Sequence, residues 1–597
     1  MIVSQMQRLL RQAPTQAQVW LWLGLSSLVS LLYSVPVLVT AFSHAYVIQD
    51  DARQHVYWMR RFLDPTLYPN DLTTDYFESV APLGYRMLYW LFAQFGLDPV
   101  VLSKLLPLLL ALGGTFFVFM AAMQVLPSPI AGFAAAVLAN QGFWIRDDVV
   151  SATPVAFVYV LLPAFLYFLM RRSLYPCILT MALQALFYPQ VFLVQAGMLG
   201  LMLVQIRGNR LQWADAKERR FCIIGLAVAV LLLLPYALVS SPYGPVISAA
   251  EAQQIPAMAR GGWSRFFVMQ TGVPWHQDFW YDEFWVCSQR SGLLPTEWCA
   301  APHLYPQAWL AVLGLPVLLW QRRWFPLVQR MTPAITSLAH CFVISLGLFF
   351  VAHGLLFRLH LPNRYTEHSF RILAALAAGV AIALLVDRFL HWLERLSSAD
   401  GVGRSLLSYS SIAVLGALLL LHPYGTDSRE EPFPHHNYVF GRYPRVYEFL
   451  AQQPKDTVTA SLSPEVNNLP TFTQRPVLVG GQGYILPYHQ GYFAAVSDRL
   501  TAVIRAQYSP GIGPLRQVVE EYGVDYWLVD RDFETEGYLE TASVFRQYPG
   551  VASRAQDSIA AGDLPVLLRR MEGCTVVDAD AVVLLDAPCL VEPLDAP

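Results

Sequence analysis

Four aspartates stand as two adjacent pairs, Asp50-Asp51 and Asp147-Asp148, each placed just after a long apolar run. Paired carboxylates can take a proton from a hydroxyl as a general base, or hold a divalent cation through oxygen ligands. A single aspartate at such a place caps the following helix, because its side chain accepts the unpaired N–H groups of the first turn. One residue suffices for capping, which leaves the second of each pair open to chemistry. After the first pair, Val56, Met59, Phe62 and Leu63 recur at helical spacing. That spacing predicts an amphipathic helix lying in the membrane interface. His55 in the same stretch reads first as an interfacial side chain and second as a substrate contact.

Arg364 lies in a short polar stretch, Leu361-Pro362-Asn363-Arg364-Tyr365, with His368 and Arg371 close behind. A guanidinium between apolar runs either snorkels to lipid headgroups or clamps a phosphate through two parallel N–H bonds. Tyr188-Pro189-Gln190 separates two short apolar runs. Proline cannot continue a helical ladder, so a hinge is expected there, with Tyr188 and Gln190 placed to contact a substrate. No His/Cys cluster has zinc spacing, and neither a P-loop nor a G-x-S-x-G elbow is present. Gly480-Gly481-Gln482-Gly483 lacks the spacing of a dinucleotide fingerprint and reads as a turn.

The elements that must position these residues are set by composition. Of 597 residues, 55% are hydrophobic and 14% charged, which points to lipid as the solvent. A net charge of −3 with no basic stripe gives no sign of nucleic acid as a partner. Eleven apolar segments are expected near 20–42, 99–125, 128–144, 154–170, 174–187, 190–205, 221–240, 307–321, 333–357, 371–390 and 406–422. Arg8 and Arg11 precede the first, which reads as an anchor rather than a cleaved signal. Threading these segments puts Arg8/Arg11, Arg171/Arg172, the cluster 207–220, Arg322/Arg323/Arg330 and Arg395/Arg404 on one side, which is then cytoplasmic. Both acidic pairs, Tyr188-Pro189-Gln190 and Arg364 fall on the other side.

Two regions follow: a membrane domain over 1–422, with a first extracytoplasmic loop at 43–98, and an extracytoplasmic α/β domain over 423–597. In the latter, β-rich runs at 457–462, 476–479, 526–529, 566–568 and 581–585 alternate with helical stretches near 495–507, 513–522 and 537–547. Cys287 and Cys299 share one outer loop, and Cys574 and Cys589 share the tail. Two local pairs are disulfide candidates in an oxidising compartment, with free thiols as the other reading.

This layout resembles the GT-C class of membrane glycosyltransferases, as in protein O-mannosyltransferases and aminoarabinose transferases. The likeness rests on Asp50-Asp51 soon after the first span, amphipathic segments in that loop, Asp147/Asp148 in the next outer loop, about a dozen spans, and an α/β domain on the same side. Segments 49–77 and 146–154 also resemble bacterial membrane proteins, which implies a multi-pass protein of the bacterial plasma (inner) membrane. The resemblance implies a sugar carried on a polyprenyl phosphate and an acceptor that is a glycan, lipid or protein. Asp50 or Asp51 would be the base, Arg364 or Arg371 would stabilise the leaving phosphate, and Asp147 or Asp148 would orient the acceptor or hold a divalent cation such as Mg or Mn. Inner loops under about 20 residues leave no room for a Rossmann-type nucleotide-sugar domain, in agreement with a lipid-borne donor. Two further readings stay open here: a non-catalytic scaffold with a degenerate GT-C fold, and a lipid or polysaccharide transporter.

Overall fold

The computed structural model describes residues 2–207, 210–238, 240–258, 266, 283–300, 305–396, 401–425, 433–480 and 488–592. Residues 481–483 of the glycine turn, and much of the loop between 259 and 282, lie outside the described residues. The bulk of the chain is a helical bundle. Among the described residues, five helices are long and apolar enough to cross a membrane: Gln16–Ala41, Pro99–Val125, Ala216–Tyr236, Ile335–Gly354 and Pro362–Leu393. Six shorter apolar helices accompany them, and every one of the expected apolar segments lies on one of these helices. The two short runs flanking Tyr188 are separate helices, Leu174–Phe187 and Pro189–Met202, with Tyr188 as the shared extended joint at φ −150°.

Burial ranks the long helices. The most apolar window of Pro362–Leu393 is 83% buried, against 22% for Ala216–Tyr236. The helix that begins near Arg364 therefore runs through the centre of the bundle. It can do so because Gly379 lies directly against Ala135: a Cβ there would stand 2.5 Å from the Ala135 backbone nitrogen. Small residues at such a crossing let two backbones approach closely. This contact seats the central helix beside Pro129–Ile145, the helix that leads into Asp147 and Asp148.

The C-terminal residues build a four-stranded mixed sheet. Val458–Ser461 runs parallel to Val524–Asp530, which pairs antiparallel with Val582–Asp586, itself antiparallel to Thr575–Ala579. Helices Gln490–Tyr508 and Ile512–Tyr522 agree with the expected stretches, while 537–547 is broken into Glu536–Thr541 and Ser543–Gln547. Two strand expectations are corrected. Residues 566–568 open the helix Val566–Cys574, in which Val566 and Leu567 are buried, and 476–479 contributes a single bridge from Val477 to Thr459. Both cysteine pairs are bonded, Cys287 to Cys299 and Cys574 to Cys589.

A second, smaller pairing ties the first loop to the segment that follows the last apolar helix. Strand Val47–Gln49, just after the first span, pairs antiparallel with Tyr438–Phe440. The first loop docks further onto the C-terminal region, where Tyr68 Oη donates to Pro470 O at 2.9 Å and Tyr76 stacks on Tyr492 with ring centroids 3.6 Å apart. The expected interfacial helix over 50–63 does not form as one element. Ala52–His55 is a single α-turn and Tyr57–Phe62 a 3-10 helix. Val56, Tyr57, Trp58 and Met59 are fully buried, so tertiary packing against the docked region has replaced the lipid interface as their apolar environment.

Candidate active site

The β-pairing just described brings the first acidic pair to the second. Gln49 ends its strand with its side chain shared between them: Oε1 accepts from Ala52 N–H at 3.2 Å, and Nε2 donates to Asp147 Oδ2 at 3.4 Å. Asn437, held at φ 51° at the start of the partner strand, does the same from the other side. Its carbonyl accepts from Asp50 N–H at 3.2 Å, and its Nδ2 donates to Asp147 Oδ2 at 2.9 Å. Asp147 is thus an acceptor fixed by two amides.

The capping explanation fails for Asp51. Its side chain makes no cap bond, since Gln49 supplies that service, and no hydrogen bond or ion pair reaches its carboxylate among the described residues. Asp50 instead forms an ion pair with Arg53, whose Nη1 also donates to Asn468 Oδ1 at 2.8 Å. Within the first pair, then, Asp50 is neutralised and Asp51 is bare. Burial, followed by the like charges of Asp147, Asp50 and Asp148, pushes the Asp51 carboxyl up to about 8, with Arg364 acting weakly in the opposite sense. The residue is densely surrounded yet keeps part of its surface open.

Capping also fails for Asp148. The turn that follows is led by Thr153, and Asp148 points into a charged network on the central helix. Its Oδ2 accepts from Tyr159 Oη at 2.7 Å and from Arg371 Nη1 at 2.5 Å. Burial opposes ionisation here, but Arg371, His368 and Arg146 outweigh it and hold the carboxyl well below the usual carboxylate range.

The two arginines differ sharply in availability. Arg371 is 5% exposed and grips three carboxylates: Asp148, Glu297 through Nε at 2.7 Å, and Glu367 through Nη2 at 2.9 Å. Arg364 keeps 25% of its side chain exposed and has, among the described residues, one ion pair, to Glu367 at 3.3 Å. Arg371 is therefore a structural hub, and Arg364 is the guanidinium with donors to offer. Tyr188 lies edge-on to His368 with centroids 5.7 Å apart. Gln190 Oε1 is a buried acceptor with no donor among the described residues. His55 packs edge-on to Phe77 at 5.1 Å, and burial lowers its imidazole to about 4, so it stays neutral at ordinary pH.

Among the described residues no three His, Cys, Asp or Glu side chains gather as a metal site. Asp50 is paired with Arg53, Asp147 accepts from two amides through Oδ2, and Asp148 is paired with Arg371. Five contributors escaped sequence reading: Gln49, Tyr159, Glu297, Glu367 and Asn437. Glu367 and Arg371 stand four apart on one helix face, a signal that was present. Glu297 and Asn437 carry no local signal, because both arrive from distant loops.

No protein-family profile matches the sequence, and no curated protein matches it. Solved structures do. The apo oligosaccharyltransferase of Archaeoglobus fulgidus aligns with a TM-score of 0.53 at 12% identity, over 90% of this chain and 73% of that one. The same enzyme in complex with an inhibitory peptide and a dolichol-phosphate gives 0.51 at 12% identity, over 90% and 72%. An arabinofuranosyltransferase from Mycobacteria gives 0.45 at 14% identity, over 96% of this chain and 42% of that one. The fold of this chain is that of the GT-C membrane glycosyltransferases, a class of helical membrane proteins.

Proposed function

We propose that this chain is a membrane glycosyltransferase that moves a sugar from a polyprenyl-phosphate donor to an extracytoplasmic acceptor. The observation that carries the reading is the bare Asp51 carboxylate, raised to about 8 and set beside the fixed Asp147. A carboxylate so raised has the proton affinity to take a hydroxyl proton as the transition state forms. Asp51 removes the proton from the acceptor hydroxyl, and the acceptor oxygen attacks the anomeric carbon. The bond from that carbon to the phosphate oxygen breaks, and its electron pair leaves with the polyprenyl phosphate. Arg364 meets the charge that develops there, the electrostatic help that weighs most in such steps. Asp147, fixed by Gln49 and Asn437, orients the acceptor.

Two further observations support this reading. The Archaeoglobus structure with the same fold holds a dolichol-phosphate, and a second holds a tethered acceptor peptide, so a lipid-linked donor and an external acceptor suit the architecture. The arginine clusters at 8–11, 171–172, 207–220 and 322–330 support, by the positive-inside rule, a cytoplasmic N-terminus and a site outside it, in a bacterial plasma membrane. The test is transfer of labelled sugar from lipid-linked donors in membranes carrying wild-type chain or Asp51→Asn. Loss of transfer in a variant that stays inserted supports catalysis. Retained transfer sinks the role of Asp51 as base. A chain that never transfers sugar but moves labelled lipid across vesicles is a transporter, and one that does neither is a scaffold.

A further inference from the structure

The central helix carries a second charged group at its far end. A cavity of about 160 Å³ is lined by Arg11, Arg323, Trp324, Asp387, Arg388 and His391. At 1.5 Å per residue, Asp387 and His391 lie roughly 25–40 Å along the helix from Arg371 and Arg364, a bilayer's thickness away. The cavity is therefore separate from the candidate active site.

Its chemistry is that of an anion site. Asp387 is buried at 1% exposure and is matched by Arg11, which donates to it through Nε at 2.7 Å and Nη2 at 3.2 Å. That pair fixes the N-terminal helix Ile2–Arg11 against the central helix and closes one wall. Arg323 and Arg388 have no carboxylate partner among the described residues, so the cavity carries an excess of positive charge. Arg388 lies over the Trp324 ring at 5.4 Å from its centroid. A cation–π contact of this kind uses the charge of the guanidinium and leaves its N–H donors to meet phosphate oxygens. Trp324 is itself 58% exposed. An exposed tryptophan beside arginines at the ends of apolar helices marks headgroup depth in a bilayer.

We propose that this cavity binds a phosphate group, carried by an anionic phospholipid of the leaflet opposite the candidate active site. Arg323 and Arg388 supply the N–H donors, Arg11 and Asp387 the rigid floor, and Trp324 the interfacial anchor. Basic pockets between membrane helices recognise lipid headgroups in this way.

The test uses the full chain purified in detergent, with its melting midpoint followed during titration with phosphatidylglycerol, phosphatidylcholine or inorganic phosphate. A ligand that binds the folded chain raises the midpoint in proportion to its affinity. Phosphatidylglycerol is expected to bind wild type about tenfold more tightly than the double variant R323Q/R388Q, with phosphatidylcholine weaker because its choline masks the charge. An equal difference with inorganic phosphate alone keeps the phosphate site and assigns it to the free anion. Arg172→Gln, on an arginine already paired with Glu218, is expected to bind as wild type does. Should the double variant not fold, Arg388→Lys keeps the charge and loses the planar fork, and an affinity reduced about threefold or more upholds the site. Equal binding of phosphatidylglycerol and phosphate by wild type and these variants overturns it, as does an Arg172→Gln loss matching that at Arg388.

Discussion

Asp148 and Arg371 are 223 residues apart in sequence and 2.5 Å apart in space, Oδ2 to Nη1. The bond joins the loop after one short helix to the first turns of the central helix, and two more carboxylates close on the same guanidinium. It therefore fixes the floor beside which Asp51 and Arg364 are presented.

The two members of the first acidic pair should separate under mutation. Asp51→Asn is expected to lower sugar transfer by about 10²–10⁴-fold, the range general-base catalysis supplies. Asp50→Asn removes only the partner of Arg53 and should cost about tenfold or less. Initial rates of transfer in membranes, with insertion checked by protease protection, measure both.

The raised Asp51 carboxyl also predicts a pH dependence whose sign can be worked out. Its ordinary value is 3.8 and its folded value about 8. Between these the folded chain holds a proton that the unfolded chain has released, so stability falls as pH rises through that window. Asp51→Asn should flatten the slope of melting midpoint against pH between 4 and 8. In wild type, transfer should rise with pH through about 8 as the base is freed. A rate profile that is already flat above pH 5 would exclude Asp51 as the titrating base.

Arg371 and Arg364 should differ in what they break. Arg371→Leu takes the shared guanidinium from three little-exposed carboxylates, and a lost partner of this kind costs about 3–5 kcal/mol. The expected result is a large fall in melting midpoint or failure to insert. Arg364→Ala removes one part-exposed pair and should leave the midpoint within a few degrees. Its turnover should drop about 10²–10³-fold, the loss seen when one charge-stabilising donor is removed.

The Cys287–Cys299 bond closes a short loop around Glu297, which accepts two bonds from Arg371. Opening it by reduction or by Cys299→Ser is expected to cost about 3 kcal/mol of stability, on the loop-closure account. Because Glu297 would lose its place at Arg371, transfer should fall as well. The Cys574–Cys589 bond lies in the C-terminal region, and Cys589→Ser should lower stability without changing turnover. Parallel melting and transfer measurements on the two variants test this contrast.

Much of the helical layout was legible because its cause is local. A run of apolar residues long enough for the bilayer is visible wherever it stands, and so is the break that Pro189 imposes between two short helices. The acidic pairs and Arg364 were visible too, as charges at the ends of such runs. The helix over 50–63 and the strand at 566–568 misled for one shared reason. Apolar periodicity tells which residues seek burial, but not whether lipid, sheet or a docked neighbour will bury them.

By itself, then, the sequence determined where apolar segments begin and end, which charges stand beside them, and which cysteines could meet. Only the tertiary structure decided which aspartate is bare. That outcome depends on Gln49 taking the cap, Arg53 taking Asp50, and Asn437 arriving across the strand pair to hold Asp147. Each partner's effect on a carboxylate falls off within a few ångströms, and sequence spacing does not encode ångströms between segments hundreds of residues apart.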